Sequence, residues 1–125
     1  MALKDEVDKA ISAHSAWKQR LKTAIDTGKA EVTVENAAKD NVCPFGQWLY
    51  GATLAEGAKA LAGFGDVRGL HAQFHKRAAE VLDLALKGKK AEAMALMGVT
   101  AEYSKISAQL TQSLMKWQKE SGGKF

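Results

Sequence analysis

At 125 residues, 46% apolar and 26% charged, the chain has the size and composition of one globular domain, read here as 1–125 with about 1–120 ordered and 121–125 a tail. No run approaches about 18 apolar residues, "MALKDEVDKAIS" has no continuous apolar stretch of the secretory kind, and the lone Cys43 cannot close an internal disulfide, so the expectation is a reduced, cytoplasmic protein without membrane insertion. The formal net charge of +4 comes from lysines interleaved with acids, with no arginine-rich strip carrying aromatics, which points away from nucleic acid.

The first segment has apolar residues and one histidine at Leu3, Val7, Ala10, Ile11, His14, Trp17, Leu21, Ala24 and Ile25. Steps of three and four put them on one face of a helix that ends near "DTGK", with Gly28 just past the end. "AEVTVEN" alternates briefly but has nothing to pair with as a strand, so it reads as loop or a single helical turn. A short helix is expected from Pro44 to Tyr50, stopping at Gly51. "ATLAEGAKALAGFGD" reads as a glycine-punctuated connection with one helical piece. Asp66 is the predicted N-cap of the next long helix, whose stripe is Val67, Leu70, His71, Phe74, His75, Ala78, Val81, Leu82 and Ala85, with Gly88 past its end. A last helix is predicted over about 90–120, with Ala93, Leu96, Val99, Tyr103, Ile106, Leu110, Leu114 and Trp117 inward. The aromatic positions Tyr103 and Trp117 read as core. Three long amphipathic helices and a shorter helical stretch predict an all-α fold, an antiparallel four-helix bundle with a short extra helix carrying the cysteine.

All three histidines fall in apolar stripes. His71 and His75, four apart, point the same way and can grip one ion. Each has an ordinary alternative: a core histidine is commonly just hydrogen-bonded, and a lone buried cysteine is commonly a small hydrophobe. Pro44 suits the first helical position, which makes Cys43 the N-cap, where the helix end and nearby N–H groups favour the thiolate. Gly46 lets a neighbour approach, and Phe45 and Trp48 can bury the short helix. Three neutral imidazoles and one thiolate make a tetrahedral set that suits Zn²⁺. The Glu-x-x-His pairs of di-iron bundles do not occur in the sequence.

"HSAWK" at 14–18, "CPFGQWL" at 43–49 and "HAQFH" at 71–75 together resemble the chemoreceptor zinc-binding (CZB) domain family, in order and across essentially the whole chain. The resemblance implies zinc held by His14, Cys43, His71 and His75 in a four-helix bundle, with Trp17, Pro44, Phe45, Gly46 and Trp48 as supporting residues. It also implies a sensory role beside chemoreceptor signalling or diguanylate cyclase output modules, in cis or in trans, and a homodimer. No output domain accompanies the motifs, so the chain is a stand-alone member or an excised domain.

Four protein ligands leave no open position to activate water, which argues against a zinc hydrolase, and Ser15, the one hydroxyl near the motif, has no triad partner. Two regulatory readings remain: sensing of zinc level, or redox sensing in which an oxidant such as hypochlorous acid converts the Cys43 thiolate to a sulfenate. In both, the 41–51 segment is the expected moving element, anchored by Trp48. The competing readings are a structural zinc-stabilised interaction module and a metal-free helical domain with a buried polar cluster.

Overall fold

The first apolar stripe folds as α1, Leu3–Thr27, in a computed structural model that describes residues 3–30, 32–39, 41, 43–51, 54, 56–98 and 101–122. Every residue of the expected stripe is buried except Ile11, which is half-buried at its edge. The helix stops at Gly28, whose φ of 72° is the left-handed conformation that a residue without Cβ adopts freely. Among its described residues "AEVTVEN" contributes no strand. Thr33 caps the short helix α2, Val34–Ala38, accepting the Asn36 N–H at 3.1 Å.

The next helix, α3, spans Pro44–Tyr50 with Cys43 as N-cap, Pro44 at its start and Gly51 as C-cap, as the residue types dictate. A four-residue helix, α4, follows at Glu56–Lys59. The long helix α5, Ala62–Leu86, corrects the expected start at Asp66. Asp66 is exposed within the helix, and Leu61 is the N-cap without any side-chain hydrogen bond. The missing cap comes from elsewhere in the fold: Gly63 N–H donates to Glu120 Oε1 at 2.9 Å, a carboxylate placed at a helix N-terminus. The helix ends at Gly88, φ 78°.

The helix expected over 90–120 is two helices, α6, Lys90–Leu96, and α7, Glu102–Ser121. Between them the Ala101 N–H turns back to the Gly98 carbonyl at 2.9 Å, and Ser104 Oγ donates to the Met97 carbonyl at 3.3 Å. These bonds satisfy groups that an uninterrupted helix would have paired internally. Val99, expected in the stripe, lies outside the described residues, as do 123–125 of the expected tail. Tyr103, Ile106, Leu110, Leu114 and Trp117 are buried on α7 as predicted.

α5 is the centre, packed against α1, α2, α4, α6 and α7. α1 runs alongside it in the same direction: His14 meets His71, and Lys90, just beyond the far end of α5, bonds the Asp26 carbonyl. α7 runs the opposite way, with Tyr103 against Phe74 and Glu120 at Gly63. The described residues between Gly28 and Leu61 also run back, passing His75 at Ala37 and Trp117 at Ala58. This broken return is the fourth member of the helical bundle, and it carries α3. Burying side chains such as Phe74, Leu82 and Trp117 contributes about 1.5–3 kcal/mol each. Among the described residues no helix is long and apolar enough to cross a membrane.

Candidate metal centre

The bundle brings all four sequence-predicted ligands to one point. His14 comes from α1, Cys43 from the start of α3, and His71 and His75 from successive turns of α5. One ligand atom from each lies within 4.8 Å of the others. The two α5 imidazoles bring their Nε2 atoms to 3.1 Å, and Cys43 Sγ stands 3.4 Å from His71 Nε2 and 3.5 Å from His75 Nε2. A tetrahedral zinc site with ordinary Zn–N and Zn–S bonds has N···N edges of about 3.3 Å and N···S edges of about 3.6 Å. The spacing of this part of the donor set therefore fits a tetrahedral ion, and its chemistry, three imidazoles and one sulfur, fits borderline-soft Zn²⁺.

Two rings are held from behind. His14 Nδ1 donates to the Ala10 carbonyl at 2.7 Å, one turn back on α1. His75 Nδ1 donates to the Ala37 carbonyl at 3.1 Å, which ties α2 to the site. Each bond fixes the tautomer and leaves the Nε2 lone pair turned inward. His71 Nδ1 is buried with no hydrogen-bond partner among the described residues; the rings around it do its orienting. Phe45 meets His71 edge-on at 5.1 Å between centroids and His14 at 5.9 Å, Phe74 meets His14 at 4.9 Å, and Trp17 meets His75 at 5.8 Å.

Burial sets the protonation. The His14 pKa is lowered to about 4, mainly by desolvation and further by charge on His75, against a small opposing effect of the Ala10 carbonyl. The His71 pKa is lowered to about 2 by desolvation and by His75 and His14. Both imidazoles are thus neutral at pH 7, the form that donates to a metal. The sulfur differs. Cys43 is only half-buried where the three histidines are buried, and its Sγ accepts the Gly46 N–H at 3.3 Å. Gly46 and Phe45 are themselves buried, Trp48 is half-buried, and Pro44 is exposed at the helix start.

Sequence reasoning missed the two carbonyls behind the rings and the part played by Phe74. Ala10 was open to inference, since it lies one turn before His14; Ala37 was not, since its place depends on the path of the return segment. Ser15 is exposed on α1, where it lines an open cleft of mixed character with His14, Lys18, Tyr103, Ser107 and Thr111.

The family model for the chemoreceptor zinc-binding domain matches residues 14–82, more than half of the chain. The match begins at His14 and encloses Cys43, His71 and His75. No curated protein and no solved structure matches the chain.

Proposed function

The chain belongs to the chemoreceptor zinc-binding domain family, and from that premise we propose that His14, Cys43, His71 and His75 hold one Zn²⁺ and that Cys43 makes the site a sensor. The observation that carries this is the convergence of four donor atoms, from three separate elements, within 4.8 Å. Bound zinc would supply the positive charge that keeps the sulfur a thiolate. With all four positions taken by protein donors there is none for an activated water, so the reading is regulatory and not enzymatic.

Two stimuli act on the same corner. A fall in free zinc releases Cys43 from the α5 imidazoles. An oxidant such as hypochlorous acid reaches the half-buried sulfur before the buried rings. The thiolate sulfur takes the chlorine as hydroxide leaves, and hydroxide then displaces chloride, giving sulfenic acid and Cl⁻ overall. The oxidised sulfur is a poorer or reoriented ligand. Seven residues are too few to hold α3 as a helix alone, so its position depends on the Cys43 tether and on the burial of Phe45 and Leu49. The 41–51 segment is accordingly the switching element, with Trp48 as its anchor. Its output passes to a chemoreceptor signalling or diguanylate cyclase module, in cis or in trans, from a cytoplasmic homodimer.

The test is quantitative. Protein purified without chelator is assayed for zinc per chain, then titrated with hypochlorous acid while metal release and Cys43 oxidation are followed. About one zinc per chain, released in step with sulfenate formation and absent from Cys43→Ala, is the expected result. Zinc retained through complete oxidation removes the redox mechanism and favours a structural zinc module. Zinc bound at full stoichiometry by Cys43→Ala overturns the ligand set.

A further inference from the structure

A line of aromatic rings leads away from the metal centre. Phe45 lies against the His71 ring at 5.1 Å and against Trp48 at 5.6 Å. The Trp48 ring lies 5.9 Å from Trp117 on α7, and Trp117 lies 5.7 Å from Phe64 in the first turn of α5. Trp48 is half-buried and belongs to a helix of seven residues; Trp117 is fully buried in a helix of twenty.

Beyond Trp117 the packing has little slack. Trp117 Nε1 donates to the Ala58 carbonyl of α4 at 3.1 Å. Glu120, nearly one turn on, accepts the Gly63 N–H at 2.9 Å. At Gly63 there is no room even for a Cβ, which would stand 2.8 Å from Trp117 Cβ and 2.9 Å from its Cα. The end of α7 is thus clamped to α4 and to the start of α5 by two long-range hydrogen bonds and a backbone contact. Close-packed contacts of this kind tend to have discrete arrangements and do not deform continuously.

From these contacts we infer that Trp48 couples the metal centre to the α4–α5 corner and the last two turns of α7, and that this end of the bundle is where the state of Cys43 is read out. The inference rests on the ligand set proposed above. When Cys43 is released and α3 moves, Trp48 leaves the Trp117 ring. Trp117 then loses apolar cover on one side while its indole N–H still holds Ala58, and the clamp loosens. Trp48 is a positioning residue: it is not among the candidate ligands, its ring packs on Phe45 and Trp117, and its part is to convey the displacement of α3.

Hydrogen exchange of the full chain, with bound zinc and after chelation, tests this at labelling times short against global unfolding. In the wild-type protein, chelation should speed exchange about tenfold in 43–50 and also in 57–65 and 114–121. In Trp48→Leu, zinc should still bind at about one per chain and 43–50 should still respond, while 57–65 and 114–121 no longer do. A remote response that persists in Trp48→Leu overturns the coupling, as does a wild-type protein whose response stops at 43–50. If zinc is bound but 43–50 itself is unchanged, the switching element falls, and the inference with it. Trp48→Met, closer in length and flexible, replaces Trp48→Leu if the latter does not fold, with the same readings.

Discussion

Cys43 Sγ accepts the Gly46 N–H while it faces two imidazoles, so one atom both caps a helix and stands among the donors. Two substitutions separate these roles. A serine hydroxyl is among the best N-caps but a poor zinc ligand. Cys43→Ser should therefore unfold in urea, without metal, within about 0.5 kcal/mol of the wild type, and yet lose zinc in competition with a chelator. Cys43→Ala should lose zinc and a further ~1 kcal/mol of metal-free stability. Equal metal-free stability of the two variants would mean that the cap is of no consequence. Tyr103 offers a second residue-level test, at a group that is not a candidate ligand. Burial pushes its pKa up to about 12. The unfolded chain loses that proton near an ordinary tyrosine pKa of about 10, so folding is unaffected below it and is opposed progressively as pH rises from there toward 12. In Tyr50→Phe, which leaves Tyr103 as the sole tyrosine, the ultraviolet phenolate signal should appear near pH 12, or together with unfolding; a reversible midpoint near 10 in the folded protein would contradict the burial. At this scale the candidate site was legible because the side-chain types, the place of each histidine in an apolar stripe and the place of Cys43 just before Pro44 are properties of the chain itself. The carbonyl behind His75 was not, because a backbone acceptor carries no side-chain signature.

Gly63, Gly65 and Gly69 look alike in the sequence and differ in the helix they share. A Cβ at Gly63 would collide with Trp117, whereas one at Gly65 or Gly69 would meet nothing within 4 Å. Gly63→Ala should therefore destabilise by about 1–3 kcal/mol through overpacking. Gly65→Ala and Gly69→Ala should stabilise by roughly 0.5–1 kcal/mol, since glycine is a poor helix former. Urea unfolding of the three variants checks the contrast, and a Gly63→Ala protein as stable as the other two would refute the close approach. The same contact explains why the start of α5 was misplaced. The glycines before Asp66 signal a loop, and Asp66 is a good cap. Tertiary contact overrides both, because Glu120 caps the helix from α7 and the bare Gly63 seats it on Trp117. The division of the last helix into α6 and α7 was equally hidden: the apolar stripe continues in phase across Gly98, and only the turn at Gly98 and Ala101 breaks the hydrogen bonding. α3, by contrast, was legible to the residue, because Cys43, Pro44 and Gly51 each mark a helix boundary by their own local chemistry.

The candidate ligands are dispersed along the chain, with Cys43 lying 28 residues from His71 and 32 from His75. Their meeting depends on the return segment, whose short helices give a weak periodic signal; the bundle class was legible from the three long stripes, while the path of the fourth member was not. This dispersion has a thermodynamic consequence. One ion joining α1, α3 and α5 closes long loops that are open in the unfolded chain, so the unfolded chain offers no assembled site. Zinc should then stabilise the fold by mass action, about 2.7 kcal/mol at a free concentration 100 times Kd and a further ~1.4 kcal/mol for each tenfold increase. The midpoint of thermal unfolding should rise with zinc in the wild type and stay fixed in His75→Ala and Cys43→Ser. α7 supplies none of the four candidate donors, so it gains only through its packing on the elements that do, α5 and α1, and on the Trp48 ring of α3. If α1, α3 and α5 unfold as one unit with α7, circular dichroism and the tryptophan emission should report the same zinc-dependent midpoint. A midpoint indifferent to zinc would show that the donors, though close, do not share an ion in the folded chain.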